Sequence, residues 1–394
     1  MRVDTMSRFI STENPKLQFN LTNMKQSFFS RVTLCVLSVM VPFLCSMDTV
    51  AQKKLSVVVA GLNHDHVYLI MNSYEKGEVN IIGISESNTD LIKRFKQRYK
   101  LPDSLFNNNL TSLLKKRKPD VVLAYNAIND HLAVVEAAAP LGISVMVEKP
   151  LATTVEQAER MAQLAKQHKI HLLTNYETTW YPSNQQVYTK IKTNNEIGKI
   201  RKMVVHDGHQ GPKEINVSKE FLSWLTDPVQ NGGGAIVDFG CYGANLMTWL
   251  MDGQAPIAVT AITRQLKKDV YPNVDDDATI LLEYPGATGI IEASWNWPFS
   301  IKDMEVFGQT GYIQAVNATT LRIKEKESAP YTEVAAASLP ANLSDHLNYL
   351  SSILLRNEIK PQHDLSSLEN NLIVVKILEA AKTSAKTGRR VLMK

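Results

Sequence analysis

Five short, nearly continuous apolar runs mark the first part of the chain: Lys54–Ala60, Val79–Ser85, Val121–Tyr125, Ile143–Val147 and His171–Asn175. Such runs fit strands buried on both faces of a parallel sheet. Helical patterns separate them: one opening after Gly61 and running to about Lys76, then Thr89–Tyr99, a short basic stretch over 110–118, and Leu132–Leu141. A capped start at Thr153-Thr154-Val155-Glu156 leads a further helix to about His168. Alternating strand and helix with short turns predicts an α/β doubly wound sheet. Beyond residue 175 the rhythm changes. Lys199–His206, Val259–Arg264, Ala278–Glu283, Ala287–Ala293, Lys302–Phe307 and Tyr312–Val316 read as strands joined by turns such as Tyr284-Pro285-Gly286. They predict an α+β unit whose mostly antiparallel, open sheet has helices on one face. Ser366–Thr387 reads as a closing helix that stops at Gly388. The expected division is a leader over 1–51, a dinucleotide-binding domain over 52–175, and a substrate-binding and oligomerisation domain over 176–394.

The leader reads as a secretory signal: Lys25 and Arg31 precede the apolar run Val32–Cys45, and Thr49 and Ala51 fit a cleavage site before Gln52. That run is about 14 residues, short of the roughly 20 that span a bilayer. The expectation is an exported, periplasmic or extracellular protein with no stable membrane span after cleavage. Met24 is an alternative start. Cys35 and Cys45 fall inside the leader, so Cys241 alone remains and no internal disulfide can form. The net charge is +4, and no basic patch is interleaved with aromatics, so nucleic acid is not an expected partner.

Candidate chemistry gathers where the first rhythm stops. Ile143–Val147 ends at Glu148-Lys149-Pro150. Proline cannot continue the ladder, and ligands of an open α/β sheet sit outside the carboxyl ends of its strands. Lys149 therefore points to the meeting place of cofactor and substrate. Gly61-Leu62-Asn63-His64-Asp65-His66 follows the first strand in the position of a dinucleotide-binding turn, with Asn63 and His66 where second and third glycines are usual. Glu86 ends the second strand, 25 residues after Gly61, and suits a ribose diol, favouring NAD with NADP as the alternative. Asn126, His131 and Glu148 complete the expected cofactor site with Gly61, Asn63, His64 and His66. No metal is expected, because neither a cysteine nor a carboxylate cluster accompanies the two histidines in sequence.

In the second domain, Gly232-Gly233-Gly234 precedes a helical pattern over Ala235–Leu250. Spacings of four and three put Asp238, Tyr242 and Asn245 on one helical face, a hydrogen-bonding set suited to a polyhydroxyl ligand or to a buried structural cluster.

Glu148-Lys149-Pro150, the triple glycine with Asp238-x-x-x-Tyr242-x-x-Asn245, and Gly308-Gln309-Thr310-Gly311 together resemble the Gfo/Idh/MocA oxidoreductases, over about residues 54–394. The resemblance implies a Rossmann domain beside an open-sheet domain, a bound nicotinamide cofactor, and a cyclic sugar or polyol between them. It implies that Lys149 contacts substrate near the nicotinamide and that Asp238 and Asn245 hold hydroxyls. Many members carry His where this chain has Tyr242, and the glucose–fructose oxidoreductase branch resembles it in using Tyr. An Arg common after the strand ending near Asn175 is missing from Tyr176-Glu177-Thr178-Thr179.

The expected chemistry makes Tyr242 the general base. A free phenol ionises near about 10, and the Lys149 ammonium is expected to lower that value. Asp238 would orient the sugar or keep Lys149 charged. His209 and Trp295 are candidates for the pocket wall. Three functions fit: an NAD(P)-dependent sugar or polyol oxidoreductase, a redox-neutral glycoside hydrolase that keeps its NAD, and a sugar-binding protein without catalysis. Export favours a tightly bound cofactor. The open sheet is expected to form a homo-oligomer.

Overall fold

The computed structural model describes residues 53–393; the expected leader and its cleavage site lie outside them. The first half runs β1 (Ser56–Ala60), α1 (Val67–Glu75), β2 (Asn80–Ser85), α2 (Thr89–Tyr99), β3 (Phe106–Asn107), α3 (Leu110–Arg117), β4 (Val121–Ala124), α4 (His131–Ala138), β5 (Ser144–Glu148), α5 (Val155–His168) and β6 (Leu172–Asn175). The six strands pair in the order β3-β2-β1-β4-β5-β6, all parallel. The order reverses between β1 and β4, which opens a crevice at the carboxyl ends of those strands. Local chemistry agrees with the pattern. In α2, Asn88 caps the start by accepting from the Asp90 and Leu91 amides, and Leu91, Phe95 and Tyr99 form the buried stripe.

The second half runs α6 (Pro182–Tyr188), β7 (Ile200–Gly208), α7 (Lys219–Leu225), α8 (Ala235–Asp238), α9 (Gly240–Leu250), β8 (Ala258–Arg264), β9 (Asp277–Glu283), β10 (Thr288–Ser294), β11 (Ile301–Gly308), β12 (Tyr312–Asn317), β13 (Thr320–Lys324), β14 (Thr332–Ala335), α10 (His346–Leu354), α11 (Leu368–Thr387) and β15 (Val391–Leu392). Its nine strands pair as β14-β13-β12-β11-β7-β10-β9-β8-β15. β7 and β10 are parallel; the other pairs are antiparallel. Met203, Val205, Ile280, Leu282, Ile291, Met304 and Val306 face the helices and are buried with α9 and α11 in one core. The opposite face exposes Ile262 and Phe307 among polar pairs such as His206 with Asp303.

Two differences from the sequence reading concern the site. The helix expected over Ala235–Leu250 breaks at Phe239, with φ −107 and ψ −29. The Asp275 carboxylate accepts the Gly234 amide at 2.9 Å and the Ile236 amide at 2.7 Å, which fixes how α8 starts. Gly240 then lets α9 approach β9, where a Cβ would lie 3.1 Å from Ile280. The second difference is α10, absent from the sequence reading. Its Leu347, Leu350 and Ile353 join Val57, Ile70 and Phe95 in the first-domain core. A division at residue 175 therefore leaves part of the first core to the end of the chain.

Candidate functional site

The crevice beyond β1 and β4 is a cleft of about 580 Å³ lined by Gly61, Asn63, Glu86 and Asn126, among others. Gly61 sits at φ +84, and a Cβ there would come within 2.7 Å of Asn126 Cβ; only glycine passes this close approach. Glu86 closes the turn through its carboxylate, which accepts the Leu62, Ser87 and Asn88 amides, each at 2.8 Å. Oδ1 of Asn63 and Oδ1 of Asn126 are buried without a hydrogen-bond partner among the described residues. Buried polar atoms are costly unless something answers them. A cradle that excludes a Cβ and leaves two side-chain oxygens unanswered in the lining of a polar cleft fits a dinucleotide. His131, expected in this set, is instead fully buried, with Nδ1 3.1 Å from the Leu151 carbonyl. The helix that carries it turns its ring under the chain after Pro150, not into the cleft.

A second cavity of about 580 Å³ lies between the domains, with Lys149, His209, Asp238, Tyr242 and Lys302 in its wall and His64 and His66 at its edge toward the dinucleotide turn. Lys149, delivered by β5, reaches across to α8. Its Nζ donates to the Asp238 carboxylate at 2.5 Å and to the Asp238 carbonyl at 2.8 Å. Both side chains are almost fully buried. Burial opposes the Lys149 charge, yet Asp238 holds its pKa above the ordinary lysine value. Burial likewise opposes the Asp238 charge, and Lys149 holds that carboxyl below its usual range. The pair is therefore ionised. Its other oxygen accepts the Trp295 indole N–H at 2.9 Å. Trp295 is wholly buried, which corrects its expected place in the pocket wall: it positions Asp238 from behind.

Tyr242 stands under two ammonium groups, its ring centroid 5.0 Å from Lys149 Nζ and 4.6 Å from Lys302 Nζ. The expected lowering of its pKa is not what this environment gives. Burial, then the charges of Glu177 and Asp207, push the phenol well above its ordinary value, because each lysine is already matched by a carboxylate. In the unliganded protein Tyr242 is a neutral donor. His209 is in the cavity, as expected; burial lowers its pKa, and its Nδ1 accepts the Gly211 amide at 2.8 Å. Asn245, expected to hold a hydroxyl, is fully buried and donates to the Leu365 carbonyl at 2.8 Å. The break at Phe239 parts Asp238 from the helix that carries Tyr242 and Asn245.

Three groups were missed. Lys302 on β11 donates to Glu177 at 2.5 Å, and Glu177 also accepts the Tyr181 hydroxyl at 2.6 Å. The cation near the place of the absent Arg thus comes from a different strand. Asp207 pairs in register with Lys302 and is buried, its carboxyl pushed up by burial to about 8. The signal was present in the alternation. Met203, Val205 and Asp207 face inward on β7, as do Lys302, Met304 and Val306 on β11. A charge at an inward position of an alternating strand is a site candidate.

The carboxylate that the sequence lacked beside the two histidines arrives through space. His66 Nδ1 lies 2.9 Å from Glu148 Oε2, and Asn175 donates to Glu148 Oε1 at 2.8 Å. Burial opposes ionisation of Glu148, but His66 and then His64 hold its pKa far below the usual range. His64, His66 and Glu148 place ligand-type atoms within 4.8 Å of one another. Yet His64 Nδ1 already accepts the His66 amide at 3.2 Å, and the Lys149 charge acts on the same ring. The cluster is a hydrogen-bonded one.

A family model described as an oxidoreductase family with an NAD-binding Rossmann fold matches residues 42–176. A model of the GFO/IDH/MocA C-terminal domain matches residues 186–314. A D-xylose 1-dehydrogenase [NADP(+)] of Haloarcula marismortui is 27% identical over 156 residues, 40% of this chain and 42% of that protein. A trans-1,2-dihydrobenzene-1,2-diol dehydrogenase of Macaca fuscata fuscata is 22% identical over 232 residues, 58% of this chain and 64% of that protein. The chain thus spans less than two thirds of either relative. An aldose-aldose oxidoreductase of Caulobacter crescentus, solved with glycerol, superposes with a TM-score of 0.73 at 23% identity, over 86% of this chain and all of that one. That likeness is one of fold.

Proposed function

The chain belongs to the Gfo/Idh/MocA oxidoreductase family, and on that premise we propose that it moves a hydride between NAD(P) and a hydroxyl-bearing carbon of a cyclic sugar or polyol. The observation that carries this reading is the ionised Lys149–Asp238 pair. It joins the carboxyl end of a Rossmann strand to the second domain, in a cavity beside the dinucleotide cleft. The relatives named for xylose and for a cyclic diol support the substrate class.

A bound nicotinamide supplies the hydride acceptor or donor; Gly61, Asn63, Glu86 and Asn126 would hold its dinucleotide. The chain's own groups handle oxygen. The Lys149 ammonium and the neutral Tyr242 phenol are donors directed at one cavity, suited to stabilising charge on the oxygen that becomes a carbonyl. Asp238, steadied by Trp295, keeps Lys149 charged and fixed in place. Lys302, Glu177 and Tyr181 offer hydrogen bonds to further hydroxyls. The test is to mix purified protein with NAD+ or NADP+ and a panel of pentoses, hexoses, inositols and cyclic diols, and to follow reduced nucleotide by absorbance. A complete absence of turnover, with nucleotide binding shown by calorimetry, would refute the substrate class. Glu86 supports a preference for NAD, read as the tighter of the two isotherms.

Two broader readings belong to the same proposal. The run Val32–Cys45 supports export, and the mature N-terminus should lie near Gln52 by sequencing. The uncovered face of the second sheet, with Ile262 54% exposed and Phe307 39% exposed, supports a homo-oligomer, to be read by light scattering.

A further inference from the structure

We propose that the substrate is an aryl or alkyl glycoside, whose sugar ring lies at Lys149 and Tyr242 and whose apolar aglycone lies against Pro212, Ile215 and Val217. The inference rests on the oxidoreductase reading and names its substrate class. The cavity between the domains has two unlike walls. One is polar, with Lys149, Glu177, Tyr181, Asp238 and Lys302. The other is apolar: Pro212, Ile215 and Val217 from the segment 209–218, then Phe221 and Leu225 from α7 (Lys219–Leu225). A free sugar carries a hydroxyl on almost every carbon. A wall that cannot hydrogen-bond those hydroxyls removes their water and returns nothing for it.

The apolar wall is held in place by hydrogen bonds along its length. The segment 209–218 leaves the second sheet at the end of β7 (Ile200–Gly208) and finishes on the dinucleotide turn, where the Ser218 amide donates to Asp65 at 2.8 Å. Between those ends its polar groups are paired with residues outside the cavity wall. Lys267 donates to Glu214 at 2.7 Å and to the Gln210 carbonyl. The Tyr271 hydroxyl donates to Glu214 and accepts the Lys213 amide at 3.2 Å. The backbone closes on itself, with the Ile215 amide 3.0 Å from the Gly211 carbonyl and the Val217 amide 3.1 Å from the Pro212 carbonyl. These ties draw the carboxylate of the segment toward Lys267 and Tyr271 and leave Pro212, Ile215 and Val217 to the cavity. Ile215 is in the wall and yet 44% exposed, so an apolar ligand that covers it removes aliphatic surface from water.

The two walls are close enough for one ligand to touch both. Lys149 Nζ lies 5.8 Å from the centroid of the Phe239 ring. That ring meets the His209 ring edge-on at 4.8 Å, and His209 Nδ1 accepts the Gly211 amide at 2.8 Å. Pro212 follows directly, so the apolar wall begins two ring contacts from the ammonium. Phe221 packs on His64, with ring centroids 4.6 Å apart, at the edge toward the dinucleotide turn. The part of the wall left to the substrate is therefore Pro212, Ile215 and Val217. Size agrees with this division. A cavity of about 580 Å³ falls among pockets of roughly 300–1,000 Å³ that take drug-sized ligands, which is more room than a lone sugar ring needs.

The experiment compares methyl with phenyl glycosides of common pentoses and hexoses on the full-length protein, with NAD+ or NADP+ as the oxidant. Each buried methylene is worth about fourfold in binding, so the phenyl glycoside should have a KM at least about tenfold below that of its methyl counterpart, with the difference in KM and not in kcat. Ile215→Ser should cut that preference by about fourfold or more, and Ile215→Leu should keep it. Calorimetry with NAD+ present gives a reading that needs no turnover: the phenyl glycoside should bind more tightly and with the more negative heat-capacity change, the mark of buried apolar surface. Equal KM values for the two glycosides in the wild type overturn the proposal and leave the apolar wall to packing. A preference that Ile215→Ser leaves unchanged, in a protein shown to be folded, overturns it too. Should neither glycoside of any sugar turn over, the oxidoreductase reading fails separately, and the two calorimetric affinities decide the proposal, equal affinities refuting it.

Discussion

In the first sheet the charged groups of the site come after the strands end; in the second they sit within strands. β5 is buried along its whole length, and only its last residue, Glu148, and Lys149 directly beyond it bring charge. β7 and β11 instead carry Asp207 and Lys302 on the face that otherwise holds Met203, Val205, Met304 and Val306. A parallel sheet covered on both sides has no face to spare, so its chemistry is confined to the crevice at its edge. A sheet covered on one side can let its inner face run out from under the helices and line a cavity. The two arrangements meet at Tyr242, between Lys149 from one sheet and Lys302 from the other. The strand-end group is fixed by a partner across the domains, whereas the strand-interior groups are fixed by register.

The comparison predicts its largest effect at the strand end. Lys149→Met leaves the Asp238 carboxylate buried and unpaired, a change that costs about 3–5 kcal/mol. Chemical denaturation should show that loss, and turnover should fall by at least about 10²-fold, the scale of one oxyanion donor. A second variant separates the two effects. Lys149→Met with Asp238→Leu removes both charges and should recover most of the stability while turnover stays low. Recovery of turnover as well would mean that the pair only braces the domains.

Tyr242→Phe comes next. It keeps the ring between the two lysines and removes one donor, so turnover should drop by about 10²–10³-fold with the denaturation midpoint nearly unchanged. Calorimetry should find nucleotide affinity as in the wild type. Turnover within a few fold of wild type, in a protein shown to be folded, would leave Lys149 as the one donor that matters.

Asp207 tests the strand-interior side. Its carboxyl keeps a proton to about 8 in the folded protein, against an ordinary 3.8. Between those values the unfolded chain has released that proton and the folded one has not. This group's contribution to stability is therefore full below about 4 and is lost as pH rises toward about 8. Asp207→Asn removes that slope, so melting temperatures measured across this range should fall less steeply with pH than in the wild type. Parallel curves for the two proteins would place Asp207 outside the buried, proton-holding group.

The same contrast accounts for what could be read in the chain. The Rossmann strands and α2 are legible because their apolar runs, caps and turns are local features, and Lys149 is legible because Pro150 ends its strand. The long-range facts are not. Nothing near Glu148 in sequence announces His66, which lies 82 residues away. Nothing near Glu177 announces Lys302, which is 125 residues away. α10 went unseen because its apolar stripe serves the first core from near the end of the chain. Helical spacing misled in putting Asp238 on one face with Asn245, since it presumes one helix and the Asp275 cap with the turn at Phe239 makes two.

Asn245 gives the smallest expected effect and the finest division between site and scaffold. Its amide donates to the Leu365 carbonyl and, at 3.4 Å, to Asn371 Oδ1; the Leu365 oxygen also accepts Asn371 at 3.0 Å, so truncating Asn245 does not orphan that carbonyl and removes only the long contact from Asn371. The backbone carbonyl of Asn245, which accepts Asn370 at 3.2 Å, is untouched by a side-chain change. Oδ1 of Asn245 is buried without a partner among the described residues, so removing it relieves a desolvated atom. The net cost of Asn245→Ala should therefore stay near that of one hydrogen bond, about 1 kcal/mol, felt between α9 and the segment before α11. Because the side chain does not reach the cavity, KM and kcat should both match the wild type. A KM raised tenfold or more at unchanged stability would return Asn245 to the substrate and show that α9 turns when a sugar binds.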